Sequence, residues 1–212
     1  QLIPIDDASM PAPGSLDGIP RLERRTVVRM LLADRGGLLV IAGLGAPAWD
    51  ATDAGDHPLT FPLWGGMGGA TAIGLGLALA QPDRRVLVLT GDGELLMGMG
   101  SLATAGVQRP RNLALVVLDN ECYGETGMQP SHTAFGVDLA AAAKACGFSS
   151  SAMITSMDQI APLREDIHRA DGPLFAQIKI AADKLPLILP PRDGTHLKNR
   201  FREALLGPDA HM

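Results

Sequence analysis

Apolar residues along the chain fall in short runs, and between the runs they recur at helical spacing. From Arg21 to Asp34 the positions Leu22, Val27, Met30 and Leu31 mark one helix face, and Gly36 and Gly37 stop that helix. Leu38–Ala42 then reads as a buried strand. Gly66–Ala80 reads as a glycine-rich turn entering a helix, ended by Pro82, whose small residues allow close packing. Arg85–Thr90 (strand), Leu95–Val107 (helix) and Leu113–Leu118 (strand) follow. Ala140–Cys146 is helical with Asp138 as N-cap, Ser151–Ile154 is a strand, Met157–Ala170 is a helix behind Ser156, and Leu174–Ile180 is the last strand. Strands that are apolar throughout, each separated from the next by a helix, predict an α/β doubly wound fold: a mainly parallel sheet with helices on both faces. Residues 1–20, rich in Pro, Gly and Asp, read as an N-terminal arm, 21–182 as the α/β domain, and 183–212 as a proline-rich C-terminal tail ending in a short helix near Leu197–Leu206.

Composition narrows the classes. A length of 212 residues suits one domain, and 46% apolar with 19% charged residues describes a globular body. A net charge of -5 without a basic run argues against a nucleic-acid partner. Cys122 and Cys146 do not make a disulfide framework and read as reduced thiols of a cytoplasmic protein. Asp6, Asp7 and several prolines near the N-terminus do not fit a signal peptide. The uncharged stretch from Phe61 to Pro82 is broken by glycines and reads as a buried loop and helix, with no membrane role.

Two points carry chemistry: Gly91-Asp92-Gly93 and Asp119-Asn120, each directly after an apolar strand, with one helix between. A strand–helix–strand crossover makes the two strands parallel and often adjacent. Asp92 and Asn120, 28 residues apart in sequence, then share the carboxyl edge of the sheet, where open α/β folds bind ligands. One anionic and one neutral oxygen donor, with backbone carbonyls of the 120–123 loop as further donors, suit Mg2+, which keeps the rest of its octahedron for water and phosphate. Gly93 lets the backbone approach an anion, and the helix that follows points free amides at it. The pair is therefore read as a phosphate–magnesium site.

This arrangement resembles the signature of thiamine diphosphate enzymes, in which GDG is followed after some two dozen residues by an Asn pair. The resemblance runs from about Arg21 and is carried by LWGGMGGA (63–70), LALAQPDRRVLVLTGDGELLMGMGSLATAG (77–106) and NLALVVLDNECYGETGMQPSHT (112–133). It is nearest to the diphosphate-binding domain, or separate small subunit, of the sulfopyruvate and phosphonopyruvate decarboxylases. The resemblance implies thiamine diphosphate and Mg2+ as cofactors, with Asp92 and Asn120 binding the metal by side chain and Cys122 by its carbonyl. It implies Gly91, Gly93, Glu94, Tyr123 and Gly124 around the diphosphate, Gly65 and Gly66 near the aminopyrimidine, and Met67 as the prop that bends the cofactor. His132, just after the metal loop, is a candidate to bind a substrate anion or move a proton. Three departures are visible: Asp119 stands for the first Asn, Glu94 for a small residue, and Glu125 for a Thr after Tyr-Gly. A carboxylate at 94 is repelled by a diphosphate unless it turns away or meets a cation.

Members of this family activate the cofactor with a glutamate from a separate pyrimidine-binding domain. No early glutamate here has a matching context, and Glu23 reads as a solvated charge on the first helix. The implied protein is the small subunit of a 2-oxoacid decarboxylase in a hetero-oligomer whose large subunit carries that glutamate. A homodimer is possible in isolation, and the face near Gly65–Gly69 would belong to the interface. An acetolactate synthase-like carboligase subunit and a non-catalytic cofactor-binding module stand as alternatives.

Overall fold

The computed structural model describes residues 18–211, so the arm read over 1–20 lies almost entirely outside the described residues. The elements are α1 (Arg24–Leu32), β1 (Leu39–Ala42), α2 (Ala46–Asp53), β2 (Thr60–Pro62), α3 (Ala70–Ala80), β3 (Val86–Gly91), α4 (Asp92–Met97), α5 (Gly100–Gln108), β4 (Leu113–Asp119), β5 (Cys122–Tyr123), β6 (Gln129–Pro130), α6 (Leu139–Ala145), β7 (Ser150–Ile154), α7 (Ile160–Arg169), β8 (Leu174–Lys179) and α8 (Gly194–Leu206). Six strands form one parallel sheet in the order β2-β1-β3-β4-β8-β7. The doubly wound α/β class read from the alternation is the class observed.

Alternate strand residues feed two cores. Val40, Leu87, Leu89, Val116 and Ile178 meet Val28, Leu31 (α1), Ala51 (α2), Ile160 and Ile167 (α7). Leu39, Ile41, Val88, Leu115 and Phe175 meet Leu75 (α3), Leu102 (α5), Leu139 (α6) and Phe201 (α8). Because both faces are covered, β1, β3 and β4 show no in/out polarity, which is why each reads as an apolar run.

Several boundaries differ for physical reasons. The first helix begins at Arg24, because Leu22 forms a parallel bridge with Ile180 and is held extended. Glu23 is exposed, as a solvated charge should be, but it stands just before that helix as its N-cap, accepting from the amides of Arg25 and Thr26. β2 gives no sequence signal: it has three residues, sits at the sheet edge and ends in Pro62, where a missing N–H costs no ladder bond. Phe61–Pro82 is not uniformly buried, since Trp64, Met67, Ile73 and Leu79 are exposed. Asp138 caps α6 through the amide of Ala141, and Ser156 forms a capping box with Gln159 on a 3-10 turn that leads into α7.

The single helix predicted over Leu95–Val107 is two helices, broken at Gly98. A β-carbon on Gly98 would lie 2.0 Å from the carbonyl oxygen of Gly68, so the turn before α3 and the α4–α5 junction touch backbone to backbone. Gly98→Ala is expected to destabilise the fold by about 1–3 kcal/mol, as overpacking does. Gly100→Ala, where the added carbon meets open space, is expected to have no such cost. Denaturant midpoints of the two variants check this, and equal midpoints would remove the close contact from the account.

Candidate active site

The chain order β1–β2 runs to one side of β1 and β3 lies on the other, so a topological switch point falls between β1 and β3. Outside the carboxyl ends of β1, β3, β4 and β8 lies a cavity of about 480 Å3, within the ordinary range for small-molecule sites. Met67, Gly91, Asp92, Gly93, Glu94, Asn120, Cys122, Tyr123 and Gly124 all line it. These residues come from three separate stretches of sequence. Gly91 of β3 pairs with Leu118 of β4, and this register brings Asp92 and Asn120 to one edge. A second cavity of about 290 Å3, between β7 and α7, shares none of these residues.

Asp92 opens α4 and is buried. Its Oδ2 accepts from Ser131 Oγ at 2.5 Å and from Thr133 Oγ1 at 3.3 Å. Burial, and then the nearby charge of Asp119, push its carboxyl up to about 7. A carboxylate this reluctant to ionise is one a divalent cation would compensate. Asn120 Oδ1 accepts from the amide of Cys122 at 3.1 Å, which fixes the side chain over its own turn. Burial and then Asp92, Glu121 and Asp119 raise the Cys122 thiol, so it stays protonated and offers no thiolate. Among the described residues no three His, Cys, Asp or Glu side chains make a metal cage. The donor set fits a hard cation that takes most ligands from phosphate and water.

Gly93 is needed for a reason beyond backbone approach. A β-carbon there would lie 2.5 Å from the Tyr123 ring, which lines the same cavity. Tyr123 in turn sits on β5, paired with β6 through Gln129. Its hydroxyl lies 3.3 Å from His132 Nδ1.

Glu94 does turn away. Its Oε2 accepts from Thr90 Oγ1 at 2.7 Å and from the Leu44 amide at 3.0 Å. Burial raises its carboxyl, and Thr90 with the amides of Leu44, Ala70 and Gly68 partly offset that. The residue therefore ties the end of β1, the end of β3 and the start of α3 together beneath the cavity.

Asp119 is fully buried and saturated with donors. Oδ2 accepts from Lys179 Nζ at 2.7 Å and Gln177 Nε2 at 2.6 Å, and Oδ1 accepts from Thr133 Oγ1 at 2.7 Å and the Glu121 amide at 3.0 Å. Lys179 also donates to Glu121 Oε1 at 2.8 Å, and Arg21 closes the chain on Glu121 Oε2 at 2.8 Å.

Gly65, Gly66 and His132 are exposed and do not line the cavity. The residues flanking His132 do reach inward: Ser131 and Thr133 are buried and bind Asp92. Sequence reasoning missed Ser131, Thr133, Lys179 and the cavity residues Arg24, Trp49 and Lys184. A lysine two residues after Gln177 in a mainly apolar strand was the available signal for Lys179, because buried lysines are almost always paired. The others depend on long-range packing.

Comparison with known proteins agrees with this geometry. Residues 46–178 match the thiamine pyrophosphate enzyme, C-terminal TPP binding domain. The chain is 39% identical to sulfopyruvate decarboxylase subunit beta of Methanothermobacter thermautotrophicus, over 91% of this chain and 97% of that protein. It is 35% identical to phosphonopyruvate decarboxylase of Streptomyces viridochromogenes, over 81% of this chain but only 43% of that longer protein. Benzoylformate decarboxylase from Polynucleobacter necessarius shares the fold, with a TM-score of 0.64 and 21% identity over 87% of this chain and 36% of its own. The chain therefore belongs to the thiamine pyrophosphate enzyme family, as a bearer of its C-terminal TPP-binding domain.

Proposed function

We propose that the chain is the diphosphate-binding subunit of a thiamine diphosphate-dependent 2-oxoacid decarboxylase. The observation that carries this reading is the meeting of Asp92 and Asn120 at neighbouring strand ends in one cavity with Met67, Gly93, Cys122 and Tyr123. The near full-length match to a decarboxylase subunit named beta supports both the reaction and the division of labour.

In this reading Asp92, Asn120 and the Cys122 carbonyl hold Mg2+, and Gly91, Gly93, Glu94, Tyr123 and Gly124 surround the diphosphate. Gly65, Gly66 and Met67 face the pyrimidine side. Thiamine diphosphate, when bound, supplies the thiazolium that stabilises a carbanion after loss of carbon dioxide. The protein's share is placement and exclusion of water. Ser131 and Thr133 orient the Asp92 carboxylate. Tyr123 is kept at the wall by Gly93 and by His132, which acts here as a positioning residue and not on the substrate.

The activating glutamate is assigned to a pyrimidine-binding large subunit. Exposed Trp64 and Met67 on the 65–69 turn and its approach, with exposed Met97 next to Gly98, which touches Gly68, support a partner-facing surface there, since exposed large apolar side chains mark interfaces. Among the described residues no helix is long and apolar enough to cross a membrane. Product analysis on the reconstituted two-subunit complex tests the reaction. An aldehyde and carbon dioxide from a 2-oxo acid are expected. A hydroxyketone from pyruvate would establish a carboligase, and no turnover with any partner would leave a cofactor-binding module.

A further inference from the structure

The segment after β8 has neither helix nor strand from 181 to 193, yet it does not hang free. Asp183, Lys184, Leu185 and Leu187 line the same cavity as Asp92 and Asn120. Arg25 donates to the carbonyl of Pro186. Trp64 Nε1 donates to the carbonyl of Pro191 at 2.7 Å, and the Arg192 guanidinium lies 5.9 Å from the centre of the Trp64 ring. α8, capped by Asp193, then packs Phe201 edge-on against Phe61 at 5.7 Å. The segment is thus pinned along its length as one wall of the cavity, and its prolines stiffen it.

The charges on this cavity are unequal. Asp92, Glu125 and Asp183 line it as carboxyls, with Glu94 turned beneath the wall, against two cations, Arg24 and Lys184. Arg24 is committed: its guanidinium pairs with the fully buried carboxylate of Asp50. Lys184 makes no ion pair or side-chain hydrogen bond with any described residue. It is the one cation lining the cavity among the described residues that is free to meet an incoming anion, and its stem lets the ammonium follow a ligand while the backbone stays fixed.

We propose that Lys184 is a specificity residue: it pairs with the second acidic group of a 2-oxo acid that carries a sulfonate or phosphonate. This rests on the decarboxylase reading above, takes the substrate class from the relatives' names, and adds the residue that selects it. A cation aimed at a distal anion sharpens discrimination without touching the bond that breaks.

The test compares native, Lys184→Met and Lys184→Arg chains, each in complex with the pyrimidine-binding subunit, thiamine diphosphate and Mg2+. KM and kcat are measured for 3-sulfopyruvate and for pyruvate, which lacks the second acid. Lys184→Met is expected to raise KM for 3-sulfopyruvate by about tenfold or more, the size of one lost ion pair, with kcat and the pyruvate constants little changed. Lys184→Arg is expected to keep most of the affinity. Equal losses for both substrates, a loss of cofactor affinity in their place (which would put Lys184 on the diphosphate), or no change would each overturn the proposal. Calorimetric titration of sulfoacetate, an unreactive carboxylate–sulfonate probe, separates this from the decarboxylase reading. If neither 2-oxo acid is turned over but sulfoacetate binds native protein and not Lys184→Met, the reaction is wrong and the subsite stands. Failure of native protein to bind sulfoacetate overturns the subsite.

Discussion

Asp92→Ala is expected to abolish Mg2+-dependent binding of thiamine diphosphate, lowering affinity at least ~100-fold, as loss of a metal ligand or of its support does. In the proposed site Asp92 is the anionic donor at the meeting point of β3 and β4, while Asn120 is neutral and Asp119 is saturated by Lys179, Gln177, Thr133 and the Glu121 amide. The carboxylate nearest in sequence cannot take its place, because Glu94 is held beneath the wall by Thr90 and Leu44. The same residue sets the pH dependence. Its carboxyl holds its proton up to about 7, so magnesium must displace that proton to bind. Cofactor affinity is expected to fall by up to about tenfold per unit as pH drops below that value, and to level off above it. In the metal-free chain the sign is the reverse. The folded carboxyl keeps a proton that the unfolded chain releases above its ordinary value of 3.8, so this group's contribution to stability is lost as pH rises from there to about 7. Binding that is flat from pH 6 to 8 would contradict Asp92 as the metal ligand.

The largest effect on stability is expected at Lys179→Met. The ammonium is fully buried and is shared by Asp119 at 2.7 Å and Glu121 at 2.8 Å. Removing it leaves Asp119 as an uncompensated charge in the sheet, and breaking a buried pair from one side costs about 3–5 kcal/mol. For a domain of this size that is on the order of 10 °C in melting temperature. Lys179→Met combined with Asp119→Asn is expected to recover more than half of the loss, because the amide can still meet Thr133 and the Glu121 amide without a charge to neutralise. Additive losses in the double variant would show that the two side chains are not a coupled pair. The network also accounts for the aspartate that departs from the Asn pair of the family signature: Lys179 supplies the charge that makes Asp119 tolerable beside Asp92.

The architecture was legible because burial on both faces writes itself into the strands as uninterrupted apolar runs, as in Leu113–Leu118. The placement of Asp92 beside Asn120 was legible for a related reason, since one crossover helix leaves few choices for two parallel strands. What escaped depends on contacts that have no local period. β2 is too short and too proline-flanked to show an alternation. The break at Gly98 is set by the Gly68 carbonyl, about thirty residues away in sequence, and a glycine inside a helical pattern does not announce its neighbour. His132 carries the one imidazole of its loop, yet it is the plain hydroxyls on either side, Ser131 and Thr133, that reach Asp92. The tail from Asp183 looked like an appendage because it is proline-rich, and only the bonds to Arg25 and Trp64 show it to be a cavity wall.

In the proposed function this chain supplies half of a thiamine diphosphate site. The most direct test is calorimetric titration of thiamine diphosphate with Mg2+ into the chain alone and into its complex with the pyrimidine-binding subunit. Magnesium-dependent binding that tightens in the complex is the predicted result. Absence of binding in the complex, with both subunits folded and associated, would contradict it.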